Sequence, residues 1–409
     1  MRIFLAIRHA QRPDAFYGDL WATHFIPALK RLGHEIVESK VDLEPCSRFM
    51  DAPLPFTHQE VAQRAETTDR ILSELREEHA RQRFELFLCY FYNSHFDPEG
   101  FNVIRTLGIT SINFYCNSIY QFELVAEIAK SVDFSWHSER DARDDYLRAG
   151  AKPVWVQMGA DPEVCFRPIR DTCIPRACFV GQPYCDRVEL ATGLLAASLP
   201  LDLYGSGWPH PSSNPGAAQP KQETAPPPLE YLGRRRNPTA SVSSYVDLAR
   251  RILRNDGLWR GAARIYQILN HRRCLSRNRA ALAVVSKGRA KDVATTYSEY
   301  AVGLNFSNVW HDGIPCGRKI SHVRLRDFEA PMAGTCYLTG YSNELEEFYT
   351  LGSEIDAYNC PEELIDKTRF YLTHPEAANS LRRRGQERAL SSHTWDHRFR
   401  ELFSRCSLT

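Results

Sequence analysis

Short apolar runs alternate along the chain with charged stretches of helical period, and this pattern predicts strands and helices in regular succession. Ile3–Ile7 reads as a strand, and a helix opens at Tyr17-Gly18-Asp19, carries Trp21, Phe25, Ala28 and Leu29, and stops at Leu32-Gly33. His34-Glu-Ile-Val37 begins the next strand, and Gln59–Gln82 is a long charged helix. The runs Phe84–Phe91, Thr110–Tyr115, Asp133–His137 and Val154–Gln157 read as further strands, with a helix from Ser138 to the Ala149-Gly150 stop. Strands joined by helices predict a parallel, doubly wound sheet.

The pattern restarts at Ala177-Cys-Phe-Val-Gly181, with a helix over Asp186–Ala197, a strand at Leu201–Tyr204 and the loop Gly205-Ser-Gly-Trp208. It then breaks, because residues 209–228 hold seven prolines and no packed element fits there. Ser244 with Asp247 makes a capping-box-like start for a helix with Tyr245, Leu248, Ile252 and Leu253 on one face. A second amphipathic helix carries Trp259, Ala263, Tyr266 and Leu269. Regular order resumes near Asp292. Tyr300-Ala-Val-Gly-Leu-Asn-Phe306 reads as a buried strand, Arg326-Asp-Phe-Glu-Ala-Pro-Met-Ala-Gly334 as a helix and its glycine turn, and Thr335–Gly340 as the next strand. The chain closes in a helical run over Ala377–Leu402. The reading is of two α/β domains, 1–175 and 176–395, with an insertion at 209–292 and a final helical end, 396–409, that packs back on the first domain.

Composition narrows the class. At 409 residues the chain exceeds one ordinary core, and 43% apolar residues suffice for two. Mean hydropathy is −0.41 and no apolar run approaches the roughly 18 residues of a membrane span. Arg8, His9 and Arg12 interrupt the first apolar run too early for a secretory segment. Twelve cysteines show no CxxC pair and no zinc spacing, which points to a reducing cytoplasm and no structural metal. The 51 basic and 50 acidic residues balance overall, but residues 234–291 hold 15 Lys/Arg against Asp247 and Asp256. That segment is therefore +13, and the rest of the chain −12.

Helix N-termini at the carboxyl ends of parallel strands are ready anion sites. Arg326 is there to neutralise a diphosphate, and Glu329 to accept two hydrogen bonds from a ribose diol; an ordinary surface ion pair is the competing reading. Arg187, with Lys319, is a further candidate to stabilise charge on a leaving diphosphate. Gly18 and Asp19 open a helix that could face either substrate or simply be capped. His95 and Asp97 follow a buried strand, where one could activate an acceptor hydroxyl, although a surface-loop histidine is the commoner case. Asn117 stands at another strand end, on the acceptor side. Tyr204, Gly205 and Gly207 suit a loop on which a base or ribose rests.

In this order, Phe179-Val-Gly181 with Arg187, Tyr204-Gly-Ser-Gly-Trp208, Leu304-Asn-Phe306, Arg326–Gly334, Leu351-Gly-Ser-Glu354, Pro361-Glu-Glu-Leu364 and His393-Thr-Trp395 resemble the GT-B glycosyltransferases. The likeness is nearest to the CgeB-type spore-maturation glycosyltransferase-like proteins, whose C-terminal domain is of the family-4 kind. The resemblance implies two Rossmann-like domains facing a central cleft, a nucleotide-sugar donor held by the C-terminal one, hexosyl transfer, and no cofactor or required metal. It implies that Glu329 binds the ribose, that Gly334 lets the next strand approach, and that Glu347 matches an acidic residue of the family. Gly181 and Arg187 fall in its phosphate-binding stretch. Two positions depart from the family pattern: Ser321 stands where a second glutamate is usual, and Gln182 where an arginine follows Val-Gly. Arg318, Lys319 or Arg326 would supply the missing charge.

The expected activity is transfer of a sugar from a nucleoside-diphosphate sugar to a glycan, lipid-linked or protein acceptor, with a cell-surface or spore-coat glycoconjugate as the family's suggestion. An inactive binding or assembly protein on the same fold is the alternative, favoured by Ser321 and Gln182. The basic segment fits an anionic membrane surface, an acidic acceptor, or docking on the chain's own acidic surface, which is slightly preferred. Nucleic acid is not an expected partner, since no known binding module surrounds the helices. The expected location is the cytoplasm, with the membrane face as the site of any peripheral attachment.

Overall fold

The computed structural model describes residues 1–7, 20–52, 54–209, 249, 252–253, 257–311 and 316–408. The helix start at Gly18-Asp19, nearly all of the proline-rich stretch and most of the helix expected from Ser244 lie outside these residues. The chain forms two compact units, one of Met1–Val164 with Leu390–Thr409 and one of Cys165–Ala389.

The first unit is built on a six-stranded sheet of order β2-β1-β3-β4-β5-β6, with β1 Arg2–Ala6, β2 Glu35–Glu38, β3 Leu86–Cys89, β4 Thr110–Tyr115, β5 Phe134–His137 and β6 Pro153–Trp155. Every pairing is parallel, as expected when each crossover is a helix. Because parallel strands are covered on both faces, their side chains are apolar almost throughout. β1 and β3 are buried along their whole length, and Phe4 stacks on Phe87 with centroids 5.6 Å apart. Helix α1 (Leu20–Arg31) buries Phe25, Ala28 and Leu29. Helix α2 (His58–Arg81) starts with a capping box between Thr57 and Glu60, which satisfies two N-terminal donors, and presents Ile71, Leu72 and Leu75 to the core.

The second unit carries a five-stranded parallel sheet of order β13-β12-β9-β7-β8. Its strands are β7 Ile174–Val180, β8 Leu201–Tyr204, β9 Tyr300–Asn305, β12 Tyr337–Gly340 and β13 Asp356–Tyr358. The crossovers include α3 (Arg187–Ala196), α6 (Val293–Glu299) and α7 (Arg326–Met332), and α8 (Pro361–Thr373) follows the last strand. Between β9 and α7 the chain inserts a small antiparallel pair, β10 (Val309–Trp310) with β11 (Lys319–Ile320), which the hydrophobic pattern did not announce. Within the described part of the 209–292 insertion, α4 (Leu258–Arg277) and α5 (Arg279–Val285) are helical.

The expected single helix over Ala377–Leu402 is instead two, α9 (Pro375–Ser392) and α10 (Trp395–Arg405). The break follows from pairing with the strand-like backbone at Ala160, whose N–H donates to His393 O and whose carbonyl accepts from Trp395 N–H. Thr394 then caps the new helix by accepting from His397 N–H at 3.4 Å.

Candidate functional site

The carboxyl ends of β7, β8 and β9 converge on one polar centre. β7 runs into Gly181-Gln182-Pro183-Tyr184-Cys185-Asp186 and then α3, whose first residue is Arg187. Arg187 is buried and its guanidinium is spread across three oxygens: Phe306 O at 3.1 Å, Gln182 O at 3.0 Å and the Tyr184 hydroxyl at 2.8 Å. All three acceptors are formally neutral. Burial pushes the Arg187 pKa below its ordinary value, the signature of a cation held in place without a hydrogen-bonded carboxylate. Tyr184 lies under it, with the ring centroid 3.7 Å from Cζ.

Two glycines make this arrangement possible. A Cβ on Gly181 would lie 3.0 Å from Arg187 Nη1 and 2.6 Å from Phe179, so any side chain there would displace the guanidinium. Gly205 has φ +138° and approaches Gly181 so closely that a Cβ would stand 2.2 Å from its carbonyl oxygen. Trp208 Nε1 donates to that same carbonyl at 2.7 Å, which ties the β8 loop to the β7 loop.

Arg324, which the sequence did not single out, approaches the same ring, with Cζ 5.9 Å from the Tyr184 centroid. Its Nε donates to Ser307 O at 3.2 Å. Its backbone N–H donates to Asp327 Oδ2 at 2.7 Å. Asp327 is buried and also accepts from Tyr337 OH at 2.8 Å, Thr339 Oγ1 at 2.9 Å and Asn305 Nδ2 at 3.3 Å. Burial raises its pKa, against the pull of those hydrogen bonds and of Arg324. Asn305 and Ser307 close the network on Thr339. His322, buried beside Arg324 and Arg187, is held well below its ordinary pKa by desolvation and by the two cations, so it is neutral near pH 7. These residues were hidden in sequence because each looks ordinary alone, and only the pairing of β9 with β12 and the packing of α7 bring 305, 337 and 339 to Asp327.

The remaining expected residues divide. Arg326 and Glu329 pair with each other along α7, Nη1 to Oε2 at 2.6 Å, with side chains 17% and 12% exposed. Burial opposes the Arg326 charge, but Glu329 together with Tyr297 and Tyr337 more than restores it. In this structure Arg326 and Glu329, the residues expected to meet the diphosphate and the ribose, are partners of each other. Lys319 donates to Asp186 Oδ2 at 2.9 Å, an oxygen that also accepts from Asn308 Nδ2 at 2.7 Å, and Arg318 is exposed next to it. Tyr204 points its hydroxyl at Tyr300 OH, 2.8 Å away, which in turn donates to Asp202 at 2.8 Å. Gly207, at φ +92°, sits against Pro183. Gly334, at φ +74°, ends α7 and is packed against Gln386 and Ile169, where it serves the turn into β12. Glu347 is exposed on the short helix Leu345–Phe348.

In the first unit, His95 is not the surface-loop group expected. It is fully buried, its Nδ1 accepts from Tyr92 N–H at 3.2 Å, and its Nε2 lies 2.9 Å from Ser47 Oγ. Both nitrogens have partners, so the ring fixes the loop after β3. Asp97 lies 3.6 Å from Arg64. Asn117 accepts from Tyr120 OH at 3.1 Å. Among the described residues no group of three or more His, Cys, Asp or Glu is placed to hold a metal ion.

Residues 270–404 match the family model described as glycosyl transferase-like. Both units, over essentially the whole chain, share the parallel-sheet α/β architecture of GT-B glycosyltransferases. A sucrose-phosphate synthase from Thermosynechococcus elongatus superposes with a TM-score of 0.56 at 13% identity, over 99% of this chain and 100% of that one. HepE of Anabaena, solved in complex with UDP and glucose, gives 0.56 at 9% identity, with 100% of both chains covered. A glycosyltransferase from Rickettsia africae gives 0.56 at 8% identity, over 98% of this chain and 97% of its own. No curated protein matches the chain significantly by sequence.

Proposed function

We propose that the protein is a glycosyltransferase that takes its sugar from a nucleoside-diphosphate donor seated on the second unit. The observation that carries this is the buried, neutrally ligated Arg187 beside Arg324 at the carboxyl ends of β7 and β9. Together with Lys319 the centre holds three cations against Asp186 and Asp327. In a glycosyl transfer the leaving diphosphate gains negative charge as the sugar becomes oxocarbenium-like. Donors already in position stabilise that charge without reorganising. Among the described residues Arg187 gives one hydrogen bond from each of its three nitrogens to the protein, and on this reading its further N–H groups turn to phosphate.

The match of 270–404 to a glycosyl transferase-like family supports the reaction class, and the UDP and glucose bound to HepE make a UDP-sugar the first donor to test. The motif order from Phe179 to Trp395 supports the nearer likeness to CgeB-type proteins. On this reading Glu329 leaves Arg326 to take the ribose diol when donor binds. The Arg side chains carry the diphosphate charge, so transfer needs no metal, and the enzyme works in the cytoplasm on a hydroxyl of a glycan, lipid-linked or protein acceptor.

Calorimetric titration with UDP, GDP, ADP and TDP and their sugars tests the proposal. Wild type is expected to bind one nucleotide at micromolar strength with or without EDTA, stabilised by about 2.7 kcal/mol at a hundredfold excess over Kd. Arg324→Ala should weaken that binding about tenfold or more, the loss of one charge-assisted contact. A folded wild-type protein that binds none of them is not a nucleotide-sugar enzyme.

A further inference from the structure

We propose that helix α4 docks on an anionic lipid surface through its outward face. Trp259 is 91% exposed, Leu258 76%, Tyr266 64% and Leu269 51%. With Ala262, the residues at 259, 262, 266 and 269 follow a three–four spacing and line one stripe of the helix. The other side of α4 is buried: Ile268 packs with Ile252, and a Cβ on Gly261 would lie 3.0 Å from Leu253 Cα. The helix is thus anchored by one face and holds two aromatics and two leucines out to solvent. A contiguous exposed patch of that kind marks an interaction site rather than ordinary surface.

Charge decides the partner. From Gly257 to Lys291 the chain has nine Lys and Arg and no Asp or Glu. Arg260, Arg273, Arg277, Arg279, Lys287 and Arg289 are exposed. A second copy seated face to face would set this cationic surface against itself. The outward face of α4 is not covered by the chain's own acidic surface, since Trp259 is nearly fully exposed. An anionic bilayer satisfies both halves of the pattern. Trp and Tyr favour the interfacial layer, leucines reach into the acyl region, and arginines meet phosphate headgroups. No helix of the described residues is long and apolar enough to cross a membrane, so α4 lies in the surface plane.

Vesicle cosedimentation of the full-length protein tests this independently of donor binding. The protein is expected to pellet with phosphatidylcholine vesicles containing about a third phosphatidylglycerol, and to stay in solution with phosphatidylcholine alone. Raising salt to about 0.5 M should release it. Trp259→Ser with Tyr266→Ser should lower partitioning about tenfold, with circular dichroism and nucleotide binding unchanged. Folded protein that ignores both vesicles, or a double variant that binds as well as wild type, overturns the proposal. If instead the double variant turns a wild-type dimer into a monomer in light scattering, the face belongs to a second copy.

Discussion

At the scale of single residues, burial sets the charge state of the groups that matter. Arg187 keeps its place because three neutral oxygens surround it, and Gly181 and Gly205 hold open the space it fills. His137, at the end of β5, shows the opposite use of burial. Its Nδ1 lies 3.0 Å from Glu139 O, the ring stacks on Tyr146, and Nε2 has no hydrogen-bond partner among the described residues. Desolvation lowers its pKa from 6.5 to about 4, with Arg143 adding to the effect against the Glu139 carbonyl. The folded state therefore keeps this ring neutral where the unfolded chain takes up a proton. Its stability contribution is complete above the unfolded value of about 6.5 and is lost as pH falls towards about 4, for a total near 3 kcal/mol. Denaturant unfolding at about pH 7 and about pH 4.5 should show a smaller loss for His137→Gln than for wild type. Equal losses would mean the ring is solvated.

At the scale of elements, α7 and the turn before it act as one unit. Asp327 binds the Arg324 N–H on one side and Tyr337, Thr339 and Asn305 on the other, so a single carboxylate joins the cationic turn to β9 and β12. Asp327→Asn replaces an acceptor by an amide facing donors, and is expected to cost about 2–3 kcal/mol. Urea midpoints measure that loss, and calorimetry should show weaker nucleotide binding as the Arg324 turn loses its tether. A variant with unchanged midpoint and affinity would make Asp327 a bystander. The helix itself was legible from its charged start and Ala333-Gly334 end. The role of Asp327 was not, because an acid in the first helical turn is ordinarily read as a dipole partner in water.

For the molecule as a whole, the final helix completes the first unit. Trp395 and Phe399 of α10 enter an aromatic group with Trp21, Phe25, Phe114 and Trp136. Arg31 binds Asp396 and Asp161, each at 2.6 Å, and Glu163 at 2.9 Å. The Asp396 and Asp161 carboxylates raise the Arg31 pKa against its partial burial. Trp395→Ala should cost the first unit about 3–5 kcal/mol. An early unfolding transition is expected in that variant, followed by a second one that nucleotide still shifts upward. A single unshifted transition would show that the two units do not melt separately.

Strand positions, the alternation with helices and two-unit size followed from the sequence alone, because apolar runs in a parallel sheet are buried on both faces and leave an unmistakable record. Arg187 and the Arg326–Glu329 pair were also visible there as charges beside strand ends. What those charges do was decided by the tertiary structure. Arg326 is taken by Glu329 and Lys319 by Asp186, whereas Arg324 is brought to Arg187 by a hairpin with little periodicity of its own. His95 went inside because Ser47 and the Tyr92 N–H satisfy it there. A residue's sequence carries its chemistry and its local conformation; its partners come from strands and turns tens or hundreds of positions away, and partners set whether a charge is neutralised, buried or left for a ligand.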